Sequence, residues 1–405
     1  MVSYLFFFLL RKIIPFEKIN RMMVILAGIL GSVSTLLTIL PLEGASGLIV
    51  LIIASLLAGA ANAFHMLEGN LTWAHLRPER VMIHLSTSAL VAAMLYYVIA
   101  FLPTIASSIV VCLLPLCGGF ILSSTKKGKT RAGSFRRVDP FEKGTISRIL
   151  TFVAVFAFST GVMLGYQSSV KDTGLISAEL VFIGALAATA FAFICGIRLS
   201  PTRMLSYLYR GGLPSMIVGY VLLLVLPGSA QWIGLAFIMY GFVSCDLFMW
   251  FLNAEIVSRS KRSSFEVLAR ACFMEMGGIT LGFATTFLID AYQANEPFST
   301  SMNVLFATCA CILVVLVSFI FTPREAMKII EARSTISAEE SLQDACDLLG
   351  EEHALSKREL EILGYLAAGR SVPYIQNDLT LSQSTVKTHV RSIYRKMTLR
   401  TGRLS

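Results

Sequence analysis

Charge and reactive chemistry are both scarce in this chain. Only 15% of its 405 residues are Asp, Glu, Lys or Arg, where soluble domains carry about 25%. There are five His, namely His65, His75, His84, His353 and His389. The eight Cys include no C-x-x-C and no paired Cys/His cluster, so neither a zinc site nor a redox pair is encoded. Cys112, Cys117, Cys195, Cys245, Cys272, Cys309 and Cys311 fall in or at the ends of apolar segments, where a thiol is expected to serve as a small packing group. No nucleophile–base spacing and no phosphate loop appears. The chain is expected not to be an enzyme, to bind no metal and to need no cofactor.

What is abundant is hydrocarbon. Hydrophobic residues make up 55% of the chain and the mean hydropathy is +0.72. The expected fold class is all-α: a polytopic transmembrane helix bundle of about ten spans followed by a small helical appendix. The spans are placed at Met22–Leu40, Gly47–Leu67, Ile83–Leu102, Thr104–Ser123, Ile149–Gln167, Ile176–Ile197, Tyr207–Leu226, Gln231–Leu252, Cys272–Ala291 and Met302–Thr322. The runs are continuously apolar rather than alternating, which favours helices over barrel strands. Ser3–Leu10 (SYLFFFLL) is apolar but too short to span, and it is expected to be the inner end of a helix whose beginning is missing.

Loop charges set an orientation. Arg11, Lys12, Lys18 and Arg21 precede the first span, and Arg77 and Arg80 lie in the second loop. Lys126, Lys127, Lys129, Arg131, Arg136, Arg137, Lys143 and Arg148 fill the fourth. Arg198 and Arg203 lie in the sixth, and Arg259, Lys261, Arg262 and Arg270 in the eighth. The odd loops together hold a single basic residue, Lys171. By the positive-inside rule both termini are expected in the cytoplasm of a bacterial inner-membrane protein. The long basic loop Ser124–Arg148 is followed by six spans and preceded by four. That spacing resembles the major facilitator superfamily, which has two six-helix halves joined by a long loop; its acidic, glycine-containing signature does not appear in Arg11–Arg21.

Polar side chains inside spans are candidates for ligand contact. Asn62 and His65 belong to the second span, Asp246 and Trp250 (with Asn253) to the eighth, and Glu275 to the ninth. Gly278-x-x-x-Gly282 follows Glu275 and is expected to be a close-packing face. The domains are drawn as 1–322 (a sensor-like membrane domain), 323–354 (an acidic linker helix) and 355–405 (a DNA-binding domain). In the linker, Ser337 and Glu340 make a capping-box pattern, and Leu342, Cys346 and Leu349 recur at helical spacing. Thr335–Ala354 holds six acids and no Lys or Arg, so this helix is expected to be a solvated spacer or a restraint docked on the basic domain.

Leu355–Ser405 carries nine Lys/Arg against three acids. A first helix is expected over Leu355–Gly369, capped by Ser356 with Glu359, with Leu360, Leu363, Leu366 and Ala367 on its apolar face. A second runs over Val372–Leu379, and a third begins after Ser382 and continues to about Lys396. On the third, Val386, Val390, Ile393 and Met397 form a core stripe, while Lys387, Thr388, Arg391 and Arg395 lie outside. A basic, hydroxyl-bearing helix face of this kind suits the major groove.

These residues identify a resemblance to the LuxR/GerE-type helix-turn-helix of bacterial transcription regulators. The matching positions are Leu355-Ser-Lys-Arg-Glu359, Leu363, Gly369, Ile375, Leu379, Ser382, Ser384-Thr385-Val386-Lys387-Thr388-His389-Val390, Ile393, Lys396, Arg400 and Leu404. The resemblance implies binding to double-stranded DNA, commonly as a homodimer. Base contacts would come from Lys387, Thr388 and Arg391 and phosphate contacts from Thr385, His389, Arg395 and Lys396, with Glu359 structural. Val372-Pro373-Tyr374 and Gln376-Asn377 depart from the family's usual entry to its second helix. The fourth helix, which commonly forms the dimer contact, would begin where the sequence reaches Ser405, so dimerisation is expected to be weakened. The functional expectation is a membrane-bound one-component transcriptional regulator whose partners are DNA, the lipid bilayer and an unknown small-molecule signal. Its alternative is a secondary transporter of a small solute with a regulatory DNA-binding tail.

Overall fold

The computed structural model describes residues 21–40, 44–74, 78–124, 143–170, 178–259, 264–292, 298–320, 342–343 and 345–401. The expected N-terminal half-helix Ser3–Leu10, the basic 125–142 connection and the Ser337/Glu340 capping box lie outside them. The protein is all-α, and it divides into two compact units between Ala326 and Met327.

The first unit is built from α1 (Arg21–Ile39), α2 (Gly44–Ala74), α3 (Pro78–Ala100), α4 (Thr104–Ser124), α5 (Lys143–Val170), α6 (Ala178–Arg198), α7 (Pro201–Val225), α8 (Gln231–Arg259), α9 (Ser264–Tyr292) and α10 (Phe298–Val315). A π turn, Leu316–Ile320, continues α10. Among the described residues these ten are long and apolar enough to cross a membrane. Several elements outrun the expected spans: α7 begins six residues earlier, at Pro201, α9 eight earlier, at Ser264, and α2 and α8 each continue seven residues further, to Ala74 and Arg259.

The outer surface of this unit is that of a protein solvated by lipid. Leu48, Ile105, Phe120 and Phe319 are each more than 60% exposed, on α2, α4 and the π turn. In water, so many exposed aliphatic and aromatic side chains would drive aggregation; in hydrocarbon they cost nothing. Many hydroxyls inside the spans are satisfied within their own helices. Ser55 donates to Leu51 O at 2.8 Å, Thr87 to Ile83 O at 2.6 Å, Thr160 to Phe156 O at 3.0 Å and Thr308 to Val304 O at 2.7 Å. This back-bonding removes the penalty of a bare hydroxyl where no water can reach it.

Small residues set the helix pairing. With lipid outside, burial against a neighbour brings little hydrophobic gain, so backbones must approach closely enough for dispersion and weak polar contacts to act. Along α5 and α9 a Cβ on Gly161 would strike Ile279 O, and one on Gly282 would strike Phe158 O. A Cβ on Gly278 would fall 2.5 Å from Ala154 O, so Gly278 and Gly282 do form a close-packing face. Gly212, Gly219, Gly234 and Gly241 do the same between α7 and α8, and Gly28 and Gly119 between α1 and α4. Hydrogen bonds between helices add to these contacts: Ser34 Oγ donates to Ala54 O at 2.8 Å, Tyr97 to Glu179 O at 2.8 Å and Ser215 to Phe237 O at 3.1 Å.

The second unit contains α11 (345–352), α12 (Lys357–Ala367), α13 (Val372–Asp378) and α14 (Gln383–Thr401). Its core is Ile362, Ile375, Val386 and Ile393, each no more than 1% exposed, wrapped by Leu355, Leu363, Leu366, Leu379, Val390 and Met397. Each such side chain contributes roughly 1.5–3 kcal/mol on leaving water. Leu363 and Leu366 lie on the core side of α12 as expected, and the rest of that face is corrected. Ile362 is its centre, whereas Ala367 is exposed, because the groove of α13 and α14 receives the side of the helix that also carries Glu359.

Candidate nucleic-acid interface

Helix ends fix the geometry of the second unit. Ser356 caps α12: its hydroxyl accepts from Glu359 N at 3.3 Å, while Glu359 Oε2 accepts from Ser356 N at 2.7 Å. This is the expected capping box. The helix stops at Gly369, whose φ is +72°. The N–H of Gly369 donates to Leu366 O, and that of Arg370 to Tyr365 O, both at 2.9 Å. The same left-handed cap recurs twice without glycine. Ala354 (φ +49°) follows α11, with Leu355 N donating to Gly350 O at 2.9 Å. Thr380 (φ +53°) follows α13, with Leu381 N donating to Gln376 O at 3.0 Å. Thr380 makes the turn that aims α14.

Ser382 caps α14, its Oγ accepting from Thr385 N at 3.1 Å and lying 2.7 Å from Thr385 Oγ1. The remaining sequence-expected contacts divide by exposure. Lys387, Thr388, Arg391 and Arg395 are exposed, at spacings of one, three and four residues that keep them on one face of α14. Thr385 and His389 are half-buried at its flanks. Thr388 Oγ1 donates to Ser384 O at 2.9 Å, which leaves the hydroxyl free to accept. Lys396 is placed differently. Its ammonium donates to Glu359 Oε2 at 2.6 Å and to Ala354 O at 3.3 Å, so it ties α14 to the start of α12.

Glu359 is the hub of that tie, 5% exposed, and Ser392 Oγ also donates to its Oε1 at 2.7 Å. The Lys396 ammonium, then the N–H of Ser356 and the hydroxyls of Ser392 and Ser356, hold its carboxyl down at about 2 against the opposing effect of burial. Tyr365 on α12 bonds Asp378 on α13, and that carboxylate pushes the phenol up to about 12. The Arg370 guanidinium lies 4.9 Å over the Tyr374 ring at the entry to α13, where the sequence departs from the family's usual residues.

The linker helix α11 is part of this folded unit. A Cβ on Gly350 would fall 2.7 Å from Leu360 Cδ1, and Cys346 is buried. Its acids Asp347, Glu351 and Glu352 are exposed. Among the described residues it meets α12 through Gly350 against Leu360. Asp344, Glu339 and Glu340 lie outside the described residues.

In the first unit the structure brings some of the candidate ligand residues together and separates others. Asp246 on α8 lies beside Glu275 on α9 and beside Trp250 one turn further along α8. His65 is half-buried on α2, and Asn62 is on that helix's exposed side. Trp73 was missed by the sequence reading. It lies in the stretch of α2 beyond Leu67, and its ring meets Trp250 edge-on, with centroids 5.4 Å apart. Glu68, 4% exposed on the same helix, was also missed. Among the described residues no group of His, Cys, Asp and Glu is arranged to hold a metal ion.

Comparison with known proteins bears on the second unit alone. The family model for bacterial regulatory proteins of the luxR family (GerE) matches residues 353–402. A 43-residue stretch is 49% identical to the probable transcriptional regulatory protein NarL of Mycobacterium tuberculosis, in each of two strains. The match covers 11% of this chain and 20% of that protein, so the chain spans about a fifth of the length of the curated relatives it matches. No solved structure matches the chain. The C-terminal unit is a LuxR/GerE-type helix-turn-helix domain, joined in one chain to a hydrophobic helix bundle.

Proposed function

We propose that this protein is a membrane-bound one-component transcriptional regulator: the bundle senses a signal and the helix-turn-helix unit binds promoter DNA. The observation that carries the reading is the exposed Lys387/Thr388/Arg391/Arg395 face of α14, on a domain of a DNA-regulator family, in the same chain as ten apolar helices. Lys387, Thr388 and Arg391 contact base edges; Thr385, His389 and Arg395 contact phosphates. Lys396 acts through Glu359, holding α14 at its angle. The basic even-numbered loops support a topology with both termini in the cytoplasm. The spacing of spans around residues 125–142 supports a layout in two halves like that of the major facilitator superfamily. For the bundle to control the DNA unit, its signal must bind two bundle conformations with different affinity.

The test is DNA binding by the helix-turn-helix unit with and without Lys387→Ala plus Arg391→Ala, using operator candidates recovered from random sequence. The double variant is expected to lose sequence preference and to keep a weak, salt-sensitive remainder from the other cations. Undiminished sequence preference would refute the reading.

A further inference from the structure

Three helices of the membrane unit converge on chemistry that reading DNA does not use. α8 packs against both α2 and α9, and α9 touches α2. From α8 come Asp246 and Trp250, one turn apart; from α9 comes Glu275; from the last turns of α2 comes Trp73. The Asp246 carboxyl lies beside that of Glu275 and beside the Trp250 indole. Two carboxyls side by side in a low-dielectric interior do not both ionise, so the pair carries one proton and one negative charge. Asp246 Oδ1 is buried and has no hydrogen-bond partner. Beside it, Trp73 and Trp250 meet at an interplanar angle of 75°, both half-buried.

A bare carboxylate oxygen away from water calls for a positive partner. A divalent metal would need more oxygen ligands than this pair supplies, and no metal grouping occurs among the described residues. Indole rings discriminate further. Their negative faces attract weakly hydrated cations bearing hydrocarbon, and quaternary ammonium groups most of all. His65 lies eight residues before Trp73, roughly 12 Å along the helix, and so belongs to a different level of the bundle. We propose that Asp246, Glu275, Trp73 and Trp250 form a binding site for an organic cation. Its charge sits at Asp246 Oδ1 and its hydrocarbon lies against the two indoles, with Glu275 supplying the proton that leaves the pair with a single charge to match. This deepens the sensing role proposed above and rests on it for its meaning. Its test reads binding alone and so stands or fails without reference to DNA.

The experiment is calorimetric titration of full-length protein in lipid nanodiscs, against empty nanodiscs, with benzyltrimethylammonium and with neopentylbenzene, its uncharged carbon isostere. Saturable binding of the cation is expected, at least tenfold tighter than that of the isostere. Asp246→Asn should weaken it at least tenfold and Trp73→Leu severalfold. Absence of saturable binding, equal binding of the isostere, or indifference to Asp246→Asn overturns the proposal. If Asp246→Asn fails to fold, indifference to Trp73→Leu does so in its place.

Discussion

The ammonium of Lys396 donates to Glu359 Oε2 across 2.6 Å, joining the DNA-facing helix to the capping turn of α12. One buried carboxylate thus closes the α12 N-terminus and anchors the far half of α14. An anchor of this kind controls the angle at which Lys387 and Arg391 are presented.

Glu359→Gln should lower the stability of the helix-turn-helix unit by roughly 1–3 kcal/mol, since Lys396 and Ser392 lose a charged acceptor. Chemical denaturation checks this. The same carboxyl makes stability depend on pH. Its folded value, about 2, lies below its ordinary 4.5. The stabilisation is therefore complete above about pH 4.5 and drains away as the pH falls towards 2, worth of the order of 2 kcal/mol in all. The glutamine variant should show a flatter profile over that window.

Thr380 holds a left-handed conformation at the turn between α13 and α14. A β-branched residue is strained there and glycine is not. Thr380→Gly is expected to stabilise the unit by about 1 kcal/mol, read as a raised denaturation midpoint with an unchanged slope. Destabilisation would mean that the threonine side chain makes a contact worth more than the strain it imposes.

In the bundle, Gly161 and Gly118 make a matched pair. A Cβ at Gly161 meets the backbone of α9, whereas one at Gly118 meets nothing within 4 Å. Gly161→Val should cost more than about 2 kcal/mol and lower the apparent melting temperature of the detergent-solubilised protein. Gly118→Ala should leave it unchanged. Equal effects would contradict the close pairing of α5 with α9.

Much of this was legible in the sequence because each signal is local. Ten continuous apolar runs can only be spanning helices, and Ser356 with Glu359, or Gly369 after an amphipathic run, act within a turn of where they stand. Ile362 was missed although it shares one face with Glu359, Leu363 and Leu366, and Ala367 was included because apolarity alone does not say where that face ends. Trp73 was missed because His75, Arg77 and Arg80 end the apolar run, although the helix itself continues to Ala74. The pairing of Asp246 with Glu275 joins positions 29 residues apart on different helices, which no periodicity encodes. The double engagement of Lys396 was hidden for a related reason: its spacing on α14 fits a phosphate contact, and its partner Glu359 is 37 residues away.

The most direct measurement is genome-wide mapping of DNA crosslinked to the full-length, membrane-embedded protein, beside the Lys387→Ala plus Arg391→Ala variant at equal membrane abundance. The account predicts discrete promoter peaks sharing a sequence element for the native protein and none for the variant. Peaks that persist in the variant, or a native profile indistinguishable from background, would contradict it.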